Sequence, residues 1–347
     1  MVRVLVVFGG RSGEHEVSLA SARAIMEALD GRHEVVPVGV TRSGRWISSG
    51  DPMRELESKK REFAATSGPP TRPEEKLPAA LGSVDVVFPV LHGPYGEDGT
   101  IQGMLDLAGI PYVGSGVLAS AVGMDKLTMK KIFAHHGLPQ VEWIGLTRKE
   151  WEEDRENWIH HIETSLGYPC FVKPANLGSS VGVNKATDAD ELWAALDEAA
   201  KLDRRLIAEA GVDAREIEVS VLGNEGAEVS VPGEIVINKN EFYDYEAKYS
   251  EDGMELVVPA DASDETTREI QRIARTAYEA IDAAGMARVD FFLERGTGRL
   301  LINEINTIPG FTPTSVYSRL WAASGLPYEE LLDRLIRLAL ERHDSNR

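Results

Sequence analysis

The sequence predicts an α/β and α+β chain, with an N-terminal parallel-sheet domain followed by two α+β domains. Two observations carry this reading. In the first third, short apolar runs end in glycine-bearing loops that lead into helical spacing, the strand–loop–helix rhythm of a parallel sheet covered by helices. After residue 120 the rhythm changes to charged helices between strands, and then to strand-rich segments ending in a hairpin. The expected divisions are therefore 1–120, 121–210 and 211–347.

Residues 2–8 (VRVLVVF) form a buried strand, and the loop GGRSGEHE follows it. Val17, Ala20, Ala24, Ile25, Ala28 and Leu29 then recur at helical spacing. HEVVPVGV is a second strand, with a turn at Arg42-Ser43-Gly44 before RWI. Residues 48–80, rich in Gly, Pro, Ser and charge, read as an irregular excursion. VDVVFPVLHG is another buried strand, and TIQGMLDLAG the helix after its loop. Beyond 120, a short helix carries Lys126 and Lys130, and a Trp-bearing helix spans about 149–165. CFVKPA and VGVNKA are strands on either side of NLGSS. A helix ADELWAALDEAAK, strands RLIAEAGV, REIEVSVLG and EVSVPGEIVIN, and a helix over about 264–284 come next. The hairpin ARVDFFLE/RLLINEIN precedes a last helix with Leu331, Leu332, Leu335, Ile336 and Leu340 along one apolar side.

Composition narrows the function. The chain has 347 residues and a formal net charge of -19, so most of its surface would repel a nucleic-acid backbone. No apolar stretch approaches the roughly 18 residues of a membrane span, and the short apolar start lacks a signal-peptide pattern. The expectation is a soluble, cytoplasmic protein. The one cysteine, Cys170, lies in the apolar run YPCFV and reads as a buried, inert thiol.

The strongest chemical signal is in the late hairpin. Glu304 and Asn306 are two apart on one strand and share a face. Centring the hairpin on Thr297, in the turn Gly296-Thr297-Gly298, sets Asp290 opposite Glu304 on that face, whereas a one-residue slip sends it to the other. Two carboxylates about 4 Å apart repel by roughly 4 kcal/mol at an effective dielectric of 20, so a cation is expected between them, or else one carboxyl stays protonated. Two carboxylates and an amide suit Mg²⁺ that also holds phosphates, and a solvated hairpin edge is the plain alternative. Arg288, on the same face, would stabilise an oxyanion or pair with a carboxylate.

Four loops add to this. Asn176-Leu177-Gly178-Ser179-Ser180 allows backbone N–H groups and hydroxyls to cradle phosphate, with Lys173 just before it; a simple Gly-Ser hairpin turn fits it equally. It is not a Walker loop. Gly9–Glu16 follows the first strand at its carboxyl end, where ligands sit in parallel sheets, but it lacks G-x-G-x-x-G, and Val40-Thr41 ends the second strand without a ribose-binding acid. Glu14 there would bind an ammonium group or only favour the helix N-terminus. His92–Gly99 again follows a strand, where a histidine at a strand end in a glycine-dense loop points to function, while Asp98 would serve as no more than a helix cap. EFYDYEAKY, at 241–249, reads as a lid or an exposed meander.

Together, GGRSGEHEVS, LHGPYGEDG, GMDK, FVKPANLGSSVG, EFYDYEAKY, RVDFF and NEINTIPGFTPTS resemble, in that order and over nearly the whole chain, the D-alanine–D-alanine ligase family of ATP-grasp enzymes. The resemblance implies an ATP-grasp fold of three domains with ATP between the central and C-terminal ones. It implies that Lys126, Lys173 and Lys248 meet the nucleotide, with Ser179 and Ser180 in its phosphate-covering loop and Glu209 and Glu216 on the adenine and ribose side. Asp290, Glu304 and Asn306 would hold two Mg²⁺, with Mn²⁺ as a substitute. Arg288 and the backbone of Gly310 would meet the oxyanion. Glu14, helped by His92, would bind the first D-alanine, and Ser315 the carboxylate of the second. Glu14, Ser179 and Tyr249 would form a hydrogen-bonded set that closes the lid. Relatives that accept D-lactate carry histidine near the position of Tyr249, so an amine acceptor is favoured. The family also implies a homodimer acting in peptidoglycan precursor synthesis. Another ATP-grasp ligase with different substrates, a nicotinamide-binding dehydrogenase and a non-catalytic nucleotide sensor are the competing readings.

Overall fold

The computed structural model describes residues 1–58, 79–178, 181–237 and 254–345. Its strands form three sheets. The first contains β1 (Arg3–Gly9), β2 (Glu34–Val40), β3 (Trp46–Ile47) and β4 (Val86–Val90) in the order β3-β2-β1-β4. β1 runs parallel to both β2 and β4, and β3 is antiparallel to β2. Val4 to Phe8 are fully buried, as a strand covered on both faces requires.

The second sheet is antiparallel, with β5 (Trp143–Thr147), β6 (Cys170–Pro174), β7 (Asn184–Ala186) and β8 (Arg205–Ala210) in the order β5-β8-β6-β7. Helix Ala189–Leu202 covers it with Leu192, Leu196 and Ala199, capped by Asp188, whose side chain accepts from Glu191 N. The Cys170 thiol is in this core, and burial pushes its pKa up to about 11, in keeping with an inert group.

The third sheet holds β9 (Ala214–Gly223), β10 (Glu228–Val229), β11 (Gly233–Ile237), β12 (Met254–Val257), β13 (Gly285–Glu294) and β14 (Leu300–Asn306). Its order is β12-β11-β9-β13-β14, with β10 beside β9. Helix Asp264–Ala280 lays Ile270, Ile273 and Ala277 on it. The last helix, Tyr328–Ser345, packs between this sheet and the first. Its Leu331, Leu335 and Ile336 share a core with Val4, Val6 and Phe88 of the first sheet. The two ends of the chain are thus joined by burial, which local pattern does not foretell. Leu340, expected on the apolar side, is only half-buried there.

Some elements differ from expectation. The 149–165 segment is two helices, Arg148–Glu153 and Arg155–Leu166, broken at Asp154. The first has a capping box between Thr147 and Glu150. The 48–80 excursion opens with a helix, Pro52–Ser58, and ends in a 3-10 turn, Ala79–Ser83, while 59–78 lie outside the described residues. Helix Val117–Met124 was not foreseen.

Candidate active site

The hairpin chemistry sits at the end of the third sheet. Asp290 pairs with Glu304 on β14 and with Glu218 on β9, so three carboxylates lie in one row across three strands. The turn is not the three-residue loop expected from its glycines. Near it the ladder runs Leu293–Leu300 and Phe291–Ile302, one residue out of step with a centre at Thr297. A bulge between Asp290 and Phe291, opposite Asn303, restores the step, and Asp290 meets Glu304. The row contains a cation: Arg288 donates from Nε and Nη2 to the two Asp290 oxygens, at 2.7 Å each, and its Nε is 2.9 Å from Glu218 Oε2.

Lysines converge from the other side. Lys126, in the first turn of helix Lys126–His135, donates to Leu177 O at 2.7 Å and lies 4.0 Å from Glu304 Oε2. Lys173 leaves β6 and donates to Glu209 Oε2 at 2.6 Å. Glu209 Oε1 is 3.1 Å from Lys130 Nζ, which is 1% exposed. Burial works against the Glu209 charge, but the two lysines outweigh it and hold the carboxyl down to about 2. Burial, reinforced by nearby Lys173, lowers the pKa of Lys130 despite Glu209. Lys173 is raised, since Glu209, Glu304 and Glu216 together overcome its burial.

The loops after β1 and β4 meet these groups. Glu14 occupies the N-cap of helix His15–Leu29 but makes no capping bond. Its Oε2 would lie 2.9 Å from a Cβ on Gly93 and 3.2 Å from one on Gly178, so it abuts the loop after β4 and the loop between β6 and β7. Ser12 Oγ donates to His92 O at 2.6 Å and pins the two N-terminal loops together. His92 Nδ1 is 3.1 Å from Ile308 O and 3.3 Å from Glu97 Oε1, and Nε2 has no hydrogen-bond partner among the described residues. Burial opposes the imidazolium, but Glu97 and Glu14 prevail and raise the His92 pKa. Asp98 is structural, accepting from Tyr95 N and Thr100 N.

A cavity of about 430 Å³ joins much of this. Lys126, Lys173, Glu209, Glu216, Asp290, Glu304 and Asn306 all line it, beside Gly178, Glu97 and Glu218. Glu14, His92, Arg288, Gly310 and Ser315 are not in its wall. Glu14 reaches it through Gly178, Arg288 through Asp290, and His92 through Glu97. Gly310 and Ser315 lie together past Ile308, where Ser315 Oγ accepts from Thr312 N at 3.0 Å. Ser179, Ser180, Lys248, Tyr249 and the expected lid at 239–253 fall outside the described residues.

The sequence model for the D-Ala D-Ala ligase N-terminus matches residues 3–115, and the one for the D-Ala D-Ala ligase C-terminus matches 132–337. The chain belongs to the D-alanine–D-alanine ligase family. A D-alanine–D-alanine ligase of Heliobacterium modesticaldum is 50% identical over 98% of this chain and 95% of its own. One from a Thermoanaerobacter species is 51% identical over 99% and 97%. Among solved structures, the D-alanine–D-alanine ligase of Coxiella burnetii superposes with a TM-score of 0.81 at 33% identity, covering 100% of this chain and 97% of that one. The VanG D-Ala:D-Ser ligase of Enterococcus faecalis gives 0.82 at 36% identity, covering 97% and 99%. The fold of this ligase family member is therefore the mixed α/β, ATP-grasp arrangement expected.

Sequence reasoning missed three residues here. Glu97 was visible in LHGPYGEDG but given no role. Lys130 was placed on its helix, and only tertiary structure shows it buried against Glu209. Glu218 alternates with Glu216 on β9, a period-two signal that would have set both on the site face. Among the described residues no three His, Cys, Asp or Glu side chains are arranged to hold a metal by themselves, and no helix is long and apolar enough to cross a membrane.

Proposed function

We propose that this chain joins two D-alanine molecules into D-alanyl-D-alanine at the expense of ATP, giving ADP and phosphate. The observation behind it is the shared cavity, in which Lys126 and Lys173 face Asp290, Glu304 and Asn306 while Glu14 abuts its glycine loop. In the first step a carboxylate oxygen of D-alanine attacks the γ-phosphorus of ATP and ADP leaves. In the second the amine of another D-alanine attacks the acyl phosphate carbonyl, loses a proton and expels phosphate. Phosphoryl transfer needs positioned cations more than covalent help, and a strongly acidic chain must gather them locally.

The oxygen-only set of Asp290, Glu304 and Asn306 fits Mg²⁺, with Mn²⁺ as a substitute, and leaves coordination sites for phosphate oxygens. Two ions are part of the proposal; bound there, they would neutralise charge on the transferring phosphoryl group. Lys126 and Lys173 contact the phosphates, with Lys248, Ser179 and Ser180 completing that contact, and Glu209 and Glu216 take the adenine and ribose side. Glu14 and His92 bind the first D-alanine, Arg288 and the Gly310 backbone N–H meet the oxyanion, and Ser315 takes the second carboxylate. Tyr249 in the 239–253 lid joins Glu14 and Ser179 over the acyl phosphate, which water would destroy. The divisions at 120 and 210, a homodimeric state and a cytoplasmic setting in peptidoglycan precursor synthesis complete the reading.

The likeness to a D-Ala:D-Ser ligase favours one second reading, D-serine as acceptor. Coupled ADP release with D-alanine, L-alanine, D-serine and D-lactate, each with and without Mg²⁺, tests both. Mg²⁺-dependent release with D-alanine alone supports the dipeptide. Faster release when D-serine joins D-alanine supports the second reading, and no D-alanine dependence refutes both.

A further inference from the structure

Glu218 is buried, lines the cavity and has no part in the reading above. Its partner is Arg288. The guanidinium makes a two-bond fork with Asp290 and turns the same Nε to Glu218, across the strand pair on the side away from Glu304. The side chains of Glu218, Asp290 and Arg288 are 8%, 13% and 18% exposed, so water screens this triad little.

The two carboxylates are not equivalent. Asp290 sits between Glu218 and Glu304 in the row, and it is the one shared with the expected cation site. A carboxylate that lends oxygen lone pairs to a divalent ion has fewer to offer a guanidinium, and the ion repels that guanidinium. Glu218 is at the far end of the row, one strand further from Glu304. We propose that Glu218 is a positioning residue that keeps the Arg288 guanidinium at the reacting centre while Asp290 is committed to the cation. Without it, a long side chain with about 2 kcal/mol of rotamer entropy is held less firmly in that place. The inference rests on the ligase reading, in which Arg288 meets the oxyanion.

A double-mutant cycle in the full chain tests it. Glu218→Gln keeps shape and removes charge. It is expected to lower kcat for D-alanine-dependent ADP release about tenfold with KM for ATP within about twofold. Glu218→Asp, which keeps the charge, is expected to recover part of the loss. In an Arg288→Ala background, Glu218→Gln is expected to cost less than about twofold, because it acts through Arg288. Mn²⁺ titration of the ADP-bound protein by electron paramagnetic resonance gives a readout independent of turnover. Glu218→Gln frees Arg288 to compete for Asp290, so Mn²⁺ binding weakens with Arg288 present and changes far less with Arg288→Ala. Equal effects of Glu218→Gln in both backgrounds, or none in either, would overturn the proposal. Absence of D-alanine-dependent turnover in the unmutated protein would instead overturn the ligase reading and leave the Mn²⁺ cycle to decide the role of Glu218.

Discussion

Glu304 faces Asp290 across β13 and β14 in a directly opposed pair, and Lys126 approaches the same Glu304 from the first turn of helix Lys126–His135. Opposed carboxylates on neighbouring strands are unfavourable unless a cation sits with them. Removing either side of this balance should show in turnover. Glu304→Ala and Lys173→Ala are each expected to lower turnover by about 10²-fold or more, the usual cost of one electrostatic donor or ligand at a phosphoryl-transfer centre. Steady-state ADP release at saturating Mg²⁺ measures it, and near-normal turnover in both variants would remove these residues from the site.

The hairpin also shows what could be read in advance. Its facing pair followed from centring on Thr297, yet the ladder next to the turn has another register, and the bulge beside Asn303 brings the pair back. The burial of both Ile302 and Ile305, three residues apart, is the trace of that extra residue in the sequence. Strands such as β1 and β4 were legible because full burial writes them as unbroken apolar runs. The break at Asp154 was not, since both helices around it carry the same charged, tryptophan-bearing composition. Convergence of Lys130, Lys173 and Glu209 was illegible for a different reason: it joins a helix and two strands, and nothing local records which buried charge answers which.

Glu209 links site chemistry to stability. Its carboxylate answers Lys130, which is 1% exposed, so Glu209→Gln strands a buried ammonium. Breaking one side of such a pair costs about 3–5 kcal/mol, and that is the expected loss at pH 7 by urea unfolding. The pH dependence has a definite sign. The folded pKa, held down to about 2, is below the ordinary carboxylate value of 4.5, so the contribution is complete above 4.5 and fades as pH falls towards 2. The gap between the unmutated chain and Glu209→Gln should therefore narrow across that interval. A gap that stays constant would mean that Glu209 is not ionised in the folded state. Adding Lys130→Met should recover stability, because an apolar side chain needs no partner.

Gly96 tests how the loop after β4 is built. A Cβ there would lie 2.1 Å from Leu91 O, a backbone atom that cannot swing aside. Its own carbonyl accepts from Gln102 Nε2 at 2.8 Å, tying the loop to helix Thr100–Ala108. Gly96→Ala is expected to cost about 1–3 kcal/mol of stability and to displace neighbouring Glu97. KM for D-alanine should rise more than KM for ATP, since the phosphate-facing lysines come from other elements. Equal changes in both would indicate global loosening.

The last prediction concerns His92. Its Nδ1 faces two acceptors, Ile308 O and Glu97 Oε1, so that nitrogen carries the proton and Nε2 is the one that titrates. Burial disfavours the imidazolium, and Glu97 supplies the largest opposing contribution. The folded pKa lies above 6.5, so the stabilisation is complete below 6.5 and lost as pH rises through the folded value. Glu97→Gln removes the chief support, and burial then drives the pKa down. Stability of the variant should fall furthest behind below pH 6.5 and draw level as pH rises through the folded value of the unmutated chain. If charged His92 assists Glu14 at the first D-alanine, kcat/KM for D-alanine should decline on the alkaline side, and Glu97→Gln should move that decline to lower pH. A profile from pH 6 to 9.5 decides it: an unmoved alkaline limb would assign that limb to another group and leave His92 a purely structural tie between its loop and Ile308.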